Sequence, residues 1–266
     1  MAGQPRASDM SWYTWQWYGD LLDLIQDNGY SFADYFDFAD FQRPCILRHD
    51  VDYSLERALD MARFEASMDL HQKVHSTYFV LLNSEFYNPR SSQSKAIFSE
   101  IADLGHHIGL HFDTTVYGDD LSKAEFVQQV QEEAEVLSKL ARTEIRTMSM
   151  HRPSQEILDA DIEISGIVNT YGDFFFRQFS YVSDSGLYWR QDPRQLIGSG
   201  EAERLHILTH PVWYSERAEQ LKEKLLAIGD RAGIETLKRF GAEVYTHFFD
   251  VVPEEEIRCH FHSPSC

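Results

Sequence analysis

Asp50 and Asp52 close an apolar run, Cys45-Ile46-Leu47-Arg48-His49-Asp50-Val51-Asp52. Two positions apart on an extended strand, they face the same side, where one carboxylate can bind a cation while the other accepts a proton. Asp is also a good helix cap, and Ser54 stands close by, so capping of the next helix is the competing reading. His107 and His111 have the H-x-x-x-H spacing that brings two imidazoles together on a helix. The residues between them read as a strand, and a rise of ~3.3 Å per residue would separate the rings by roughly 13 Å. With metal–nitrogen bonds of about 2.0–2.1 Å, only one of the two can be a ligand. His111, at the carboxyl end of the run, is better placed, which leaves His106 and His107 as solvent-facing or supporting residues.

A third ligand must come from elsewhere. His151 is the choice, because it also ends a strand-like run, and Asp113 and His49 are its competitors. An Asp52-His111-His151 set leaves positions open for water, the arrangement that catalytic zinc uses to make hydroxide near neutral pH. Cobalt, nickel and manganese are alternatives to zinc, since mixed His and carboxylate sites discriminate weakly. His210 follows Leu205-His206-Ile207-Leu208-Thr209 and could donate a proton to a leaving group. Asp184 could orient that ring, and Arg152 could hold Asp50 ionised. For Asp184 and Arg152 an ordinary salt bridge is the alternative.

Such residues need elements that bring them together. Short apolar runs alternate with amphipathic helical stretches from Pro44 onward, the pattern of βα units in a parallel sheet. Strands are expected over Cys45–Asp52, Val74–Leu82, His107–His111, Arg146–Met150, Gly166–Thr170, Phe179–Ser183 and Leu205–Thr209. Helices are expected over Leu55–Met68, Ser94–Leu104, Ser122–Leu140 and Ser215–Phe240. The aromatic-rich opening holds a further helix through Trp17–Ile25, with Gly29 as its stop. Seven strands interleaved with helices suggest a closed or nearly closed (β/α) barrel, whose reactive face lies at the carboxyl ends of the strands. The candidate residues all lie at or just past such ends.

The chain of 266 residues has 43% hydrophobic and 14% aromatic residues, enough for a sizeable core. Its formal charge of −19 repels phosphate backbones and anionic surfaces, so nucleic acid is a poor partner. Arg48, Arg152, Arg177, Arg190 and Arg194 could still form a local basic pocket. No run approaches the ~20 apolar residues of a membrane span, and no secretory signal is apparent at the start, so a cytoplasmic protein without membrane insertion is expected. The three cysteines, Cys45, Cys259 and Cys266, lack metal-type spacing. Cys45 reads as a core residue, and the His-rich end as a tail.

The ordered set Arg48-His49-Asp50-Val51-Asp52, His75-Ser76-Thr77-Tyr78-Phe79-Val80, Gly105-His106-His107-Ile108-Gly109-Leu110-His111, Met150-His151-Arg152-Pro153-Ser154 and Leu208-Thr209-His210-Pro211 resembles the motifs of polysaccharide deacetylases. These are the NodB-homology proteins, carbohydrate esterase family 4. The resemblance implies an α/β fold, an irregular (β/α)7 barrel in a single domain, and removal of an acetyl group from an N-acetylated sugar with the help of a metal ion. It would make Asp50 the base, Asp52 and His111 metal ligands, Arg152 the partner of the base, His210 the acid and Asp184 its tuner. Two positions depart from the family pattern. Val51 separates aspartates that are usually adjacent, and Thr115 stands where the second metal histidine usually falls, which is why the third ligand role passes to His151.

The expected organisation is an N-terminal helical cap over 1–43, a deacetylase-like barrel over 44–250 and a tail over 251–266. The expected partner is a carbohydrate, and by analogy the setting is surface polysaccharide or O-antigen assembly. The alternatives are an amidohydrolase acting on a non-sugar amide, a non-catalytic carbohydrate-binding relative, and an acidic scaffold.

Overall fold

The computed structural model describes residues 11–118 and 121–243. The chain divides into two compact units, 13–216 and a second made of 1–12 with 217–266. In the second, the described element is helix α8, Leu221–Glu243; the tail over 251–266 lies outside the described residues. Among the described residues, no helix is long and apolar enough to cross a membrane.

In the larger unit the elements run α1 (Trp15–Asp27), β1 (Ser31–Ala33), β2 (Pro44–Val51), α2 (Leu55–Ser67), β3 (Ser76–Leu81), α3 (Ser92–Asp103), β4 (His107–Asp113), α4 (Lys123–Ala141), β5 (Thr147–His151), α5 (Gln155–Asp159), β6 (Val168–Asn169), α6 (Asp173–Gln178), β7 (Ser180–Ser183), α7 (Pro193–Ser199) and β8 (Leu205–Thr209). The strands form one sheet in the order β6-β5-β4-β3-β2-β8-β7, with β1 added beside the start of β2. Every strand pairing is parallel. β6 and β7 form its two ends, so among the described residues hydrogen bonding does not close the barrel. The sheet nevertheless curls on itself: Arg48 on β2 reaches Thr170 and Tyr171, just past β6, at 3.3 and 3.1 Å, although β3, β4 and β5 lie between in the sheet.

Strand alternation decides what each face carries. On β2, Ile46, Arg48 and Asp50 point into the barrel, where Ile46 packs with Tyr35, Phe79, Phe175 and Phe179. His49 points the other way and bonds to Glu65 of α2. Gly109 on β4 is required by packing, since a Cβ there would stand 2.5 Å from the Phe79 ring and 2.8 Å from Thr147 Oγ1.

Local chemistry sets the helix starts. Ser54 caps α2 by accepting from the Arg57 amide, so the cap role weighed for Asp50 and Asp52 falls to Ser54. Ser122 and Glu125 form a capping box at α4. The stretch after β8 starts its helix later than expected, at Leu221, because Ser215 pairs with the chain start: the Trp15 amide donates to Ser215 O at 3.0 Å, and the Ser215 amide to Tyr13 O at 3.0 Å.

Candidate metal centre

Asp52 follows β2, His111 lies two residues before the end of β4 and His151 ends β5; these strands are not all sheet neighbours, yet the ligating atoms converge. His111 Nε2 is 3.1 Å from Asp52 Oδ1, His151 Nδ1 is 3.4 Å from the same oxygen, and the two nitrogens are 3.3 Å apart. Three ligands of a tetrahedral ion with bonds of 2.0–2.1 Å would be separated by about 3.3 Å. Asp52 Oδ1 is buried and receives no aligned hydrogen bond despite two imidazole nitrogens within 3.4 Å. The three atoms all lie within 4.8 Å of one another, a spacing that fits a cation. Behind His111, its Nδ1 meets Ser149 Oγ at 2.6 Å, a partner of the kind that fixes the tautomer of a metal-binding imidazole and leaves Nε2 free to bind.

Asp50 lies beside this triangle, with Oδ2 3.7 Å from His111 Nε2. Its partner is Arg48, whose Nε and Nη2 donate to its two oxygens at 2.8 Å each. Burial opposes the charge, but Arg48 and then His111 prevail and hold the carboxyl below its ordinary value. Arg152, expected in this role, is exposed and has a left-handed backbone, φ 48°. The correction follows from alternation: Arg48 and Asp50 are two apart on one strand and share a face, so the guanidinium lies alongside the carboxylate in fork geometry.

His210 leaves β8 at the same mouth, with Nε2 3.7 Å from Asp52 Oδ2. Asp184, fully buried just past β7, accepts at Oδ1 from His210 Nδ1 at 2.6 Å and at Oδ2 from the His210 amide at 3.1 Å. Burial disfavours the imidazolium, but the Asp184 carboxylate outweighs it, and the His210 pKa is raised to about 9. The ring therefore carries a proton at neutral pH and presents Nε2 to the mouth.

The structure separates the competing ligands from this cluster. His49 faces the helix layer, with Nε2 3.0 Å from Glu65 and Nδ1 2.7 Å from Thr209 Oγ1. Asp113 turns back to cap Thr115, accepting from its amide and hydroxyl at Oδ1. His107 pairs with Asp34 at 3.1 Å. His106, expected to face solvent or to serve as a support, is buried between Ala62 O at 3.2 Å and Glu65 at 3.6 Å. Sequence reasoning missed Arg48, Ser149 and Tyr171 as supports. For Arg48 and Ser149 a signal existed, because each precedes an identified residue, Asp50 or His151, by two on its strand.

No family model matches the chain, and no curated protein matches it in sequence. In structure, the chain is similar to a family 4 carbohydrate esterase from Bacillus anthracis, at 17% identity over 79% of this chain and 83% of that one, with a TM-score of 0.41. It is similar to the chitin deacetylase of the fungal pathogen Colletotrichum lindemuthianum at 16% identity over 71% and 82%, with a TM-score of 0.42. A mutant family 4 pseudoenzyme with restored enzymatic activity is similar at 16% identity over 72% of this chain and 66% of its own length, with a TM-score of 0.41. The likeness is one of fold.

Proposed function

We propose that this chain is a metal-dependent hydrolase that removes the acyl group from the nitrogen of an N-acetylated amino sugar or polysaccharide intermediate. The supporting observation is the Asp52, His111 and His151 triangle with the Arg48-held Asp50 on one side and the Asp184-held His210 on the other. A divalent ion bound by those three residues, zinc first on ligand type, supplies Lewis acidity toward an acyl oxygen and lowers the pKa of a water.

The chain's own groups divide the proton work. Asp50, kept ionised by Arg48, accepts the proton of the attacking water; a carboxylate held below its ordinary value is a weak base and suits only an acidified water. The water oxygen bonds to the acyl carbon, and the carbon–nitrogen bond breaks. His210 delivers its Nε2 proton to the departing nitrogen, so the products are a carboxylic acid and an amine. Asp184 holds the ring in the orientation and charge state that this requires. Surface-polysaccharide assembly is the setting that the motif resemblance suggests.

The test measures metal content and acetate release from oligomers of N-acetylglucosamine for the wild type and Asp50→Asn. The expected result is one metal ion per chain in both, with turnover in the variant lower by about 10²–10⁴-fold. A wild type that binds no divalent ion, or a variant as active as the wild type, would overturn the proposal.

A further inference from the structure

We infer that Arg152 is a specificity-determining residue that pairs with an oxyanion close to the scissile N-acyl group, so that the substrate is a phosphorylated or carboxylated amino sugar rather than a neutral one. This rests on the deacetylase reading and specifies its substrate class.

Among the described residues two arginines have a left-handed backbone, Arg142 at φ 55° and Arg152 at φ 48°. Arg142 is the C-cap of α4, where a left-handed residue is an ordinary way to end a helix. Arg152 ends no helix. It stands between β5, which ends at His151, and Ser154, which caps α5 by accepting from the Ile157 amide. The following Pro153 favours an extended conformation at the residue before it. Glycine would meet that backbone at less cost, yet the chain places there a long cation beside a metal-binding candidate. Strain of this kind gathers at active sites and ligand clamps.

No described carboxylate takes up the Arg152 charge. Arg48, Arg177 and Arg194 pair with Asp50, Asp173 and Asp192, and Arg48 already holds Asp50 at both oxygens. Arg152 is exposed and has no ion-pair partner among the described residues. An exposed arginine is ordinary by itself; its place beside His151 is not. Asp52 favours the protonated His151 ring and Arg152 works against it, so the guanidinium charge is felt at the metal centre. With a divalent ion bound, Arg48 and His210 offset Asp50, Asp52, Asp113 and Asp184, and Arg152 leaves the mouth attractive to an anion although the whole chain carries −19. The guanidinium fork matches a carboxylate or a phosphate with two parallel hydrogen bonds.

The experiment measures the affinity of N-acetylglucosamine, N-acetylglucosamine 1-phosphate and N-acetylglucosaminuronic acid for the metal-loaded Asp50→Asn protein, alone and with Arg152→Gly, Arg152→Lys or, as control, Arg142→Gly added. Arg142, exposed like Arg152, lies between α4 and the start of β5, toward the strands' amino ends. Both glycine changes remove one exposed cation from a left-handed backbone, so they alter net charge and backbone alike and differ only in place. The expected result is that at least one of the two anions binds about tenfold or more tightly than the neutral sugar. That ratio should be lost in Arg152→Gly, partly kept in Arg152→Lys and unchanged in Arg142→Gly; the tighter anion then tells a phosphate ester from a uronate. Neither anion being preferred, or a preference that survives Arg152→Gly and so comes from the metal ion, would overturn the inference; acetate release by the wild type would then leave the deacetylase reading standing. An anion preference carried by Arg152 in a wild type that releases no acetate from any of the three sugars would support the pairing and refute the hydrolase.

Discussion

Glu65 and Asp52 each face two histidines, yet the first is saturated with hydrogen bonds while one oxygen of the second has none. Glu65 is sealed between α2 and the sheet, where Tyr18, Ser76 and Tyr78 hydroxyls donate to it and His49 meets it at 3.0 Å. Burial works against its charge, but His49 leads the groups that bring its pKa down to about 2. Asp52 is open to the mouth, one-third exposed at its side chain, and its Oδ1 waits beside two imidazole nitrogens without an aligned donor. Residue type is therefore not what separates a structural cluster from a candidate reactive one. What separates them is whether the protein itself fulfils the carboxylate's bonding capacity.

The largest effect that sharpens this contrast should come from Asp52→Asn. It removes a ligand charge from the triangle, so metal content should fall from one ion per chain toward none and turnover by more than about 10³-fold, with little change in the unfolding midpoint of the metal-free protein. Elemental analysis beside thermal unfolding reads both. An Asp52→Asn protein that keeps its metal would break the comparison.

Glu65→Leu should do the reverse. Removing one partner of a buried, paired charge costs about 3–5 kcal/mol, so denaturant unfolding should shift strongly while metal content stays at one ion per folded chain. The effect should also depend on pH. The folded Glu65 pKa lies below its ordinary 4.5, at about 2, so the stabilisation is complete above pH 4.5 and is lost as pH falls toward 2. The gap between wild type and Glu65→Leu should narrow over that window. A gap that stays constant with pH would deny that Glu65 is held ionised by its surroundings.

Smaller effects test the mouth's supports. Arg48→Ala should lower turnover by about 10²-fold and move the lower limb of the pH–rate profile upward, because Asp50 loses the cation that holds its pKa down. Arg48→Lys should recover part of this. Arg152→Ala should change unfolding free energy by no more than about 0.5 kcal/mol. A larger loss of turnover in Arg152→Ala than in Arg48→Ala would reverse the roles given to them here.

The main strands were legible because buried parallel strands carry continuous apolar runs, such as Cys45–Leu47 in β2 and Tyr78–Leu82 at β3. The short elements were not: β1 spans only Ser31–Ala33, and α6 and α7 are short helices in aromatic or polar stretches where tertiary packing, not periodicity, fixes the backbone. Of the site, the length of an extended run put His111 at the mouth and His107 away from it, as the backbone of β4 requires. The same alternation rule, applied to β2, would have turned His49 away from Asp50 and drawn Arg48 to it. His106 was hidden because its burial depends on Glu65, a helix residue whose meeting with β2 and β3 no local pattern announces.

The alternation along β2 also guards the fold against mispairing. If β2 slid by one position against its neighbours, Asp50 would turn toward Glu65, setting two carboxylates against each other without solvent, and Val51 would take the place of Asp50 beneath the open face. Arg48 would turn with Asp50 and leave Thr170 and Tyr171 in the same move. A folding intermediate in that wrong register therefore carries its own electrostatic penalty, and the charges at the mouth serve as a proofreading mark for the assembly of the central strand.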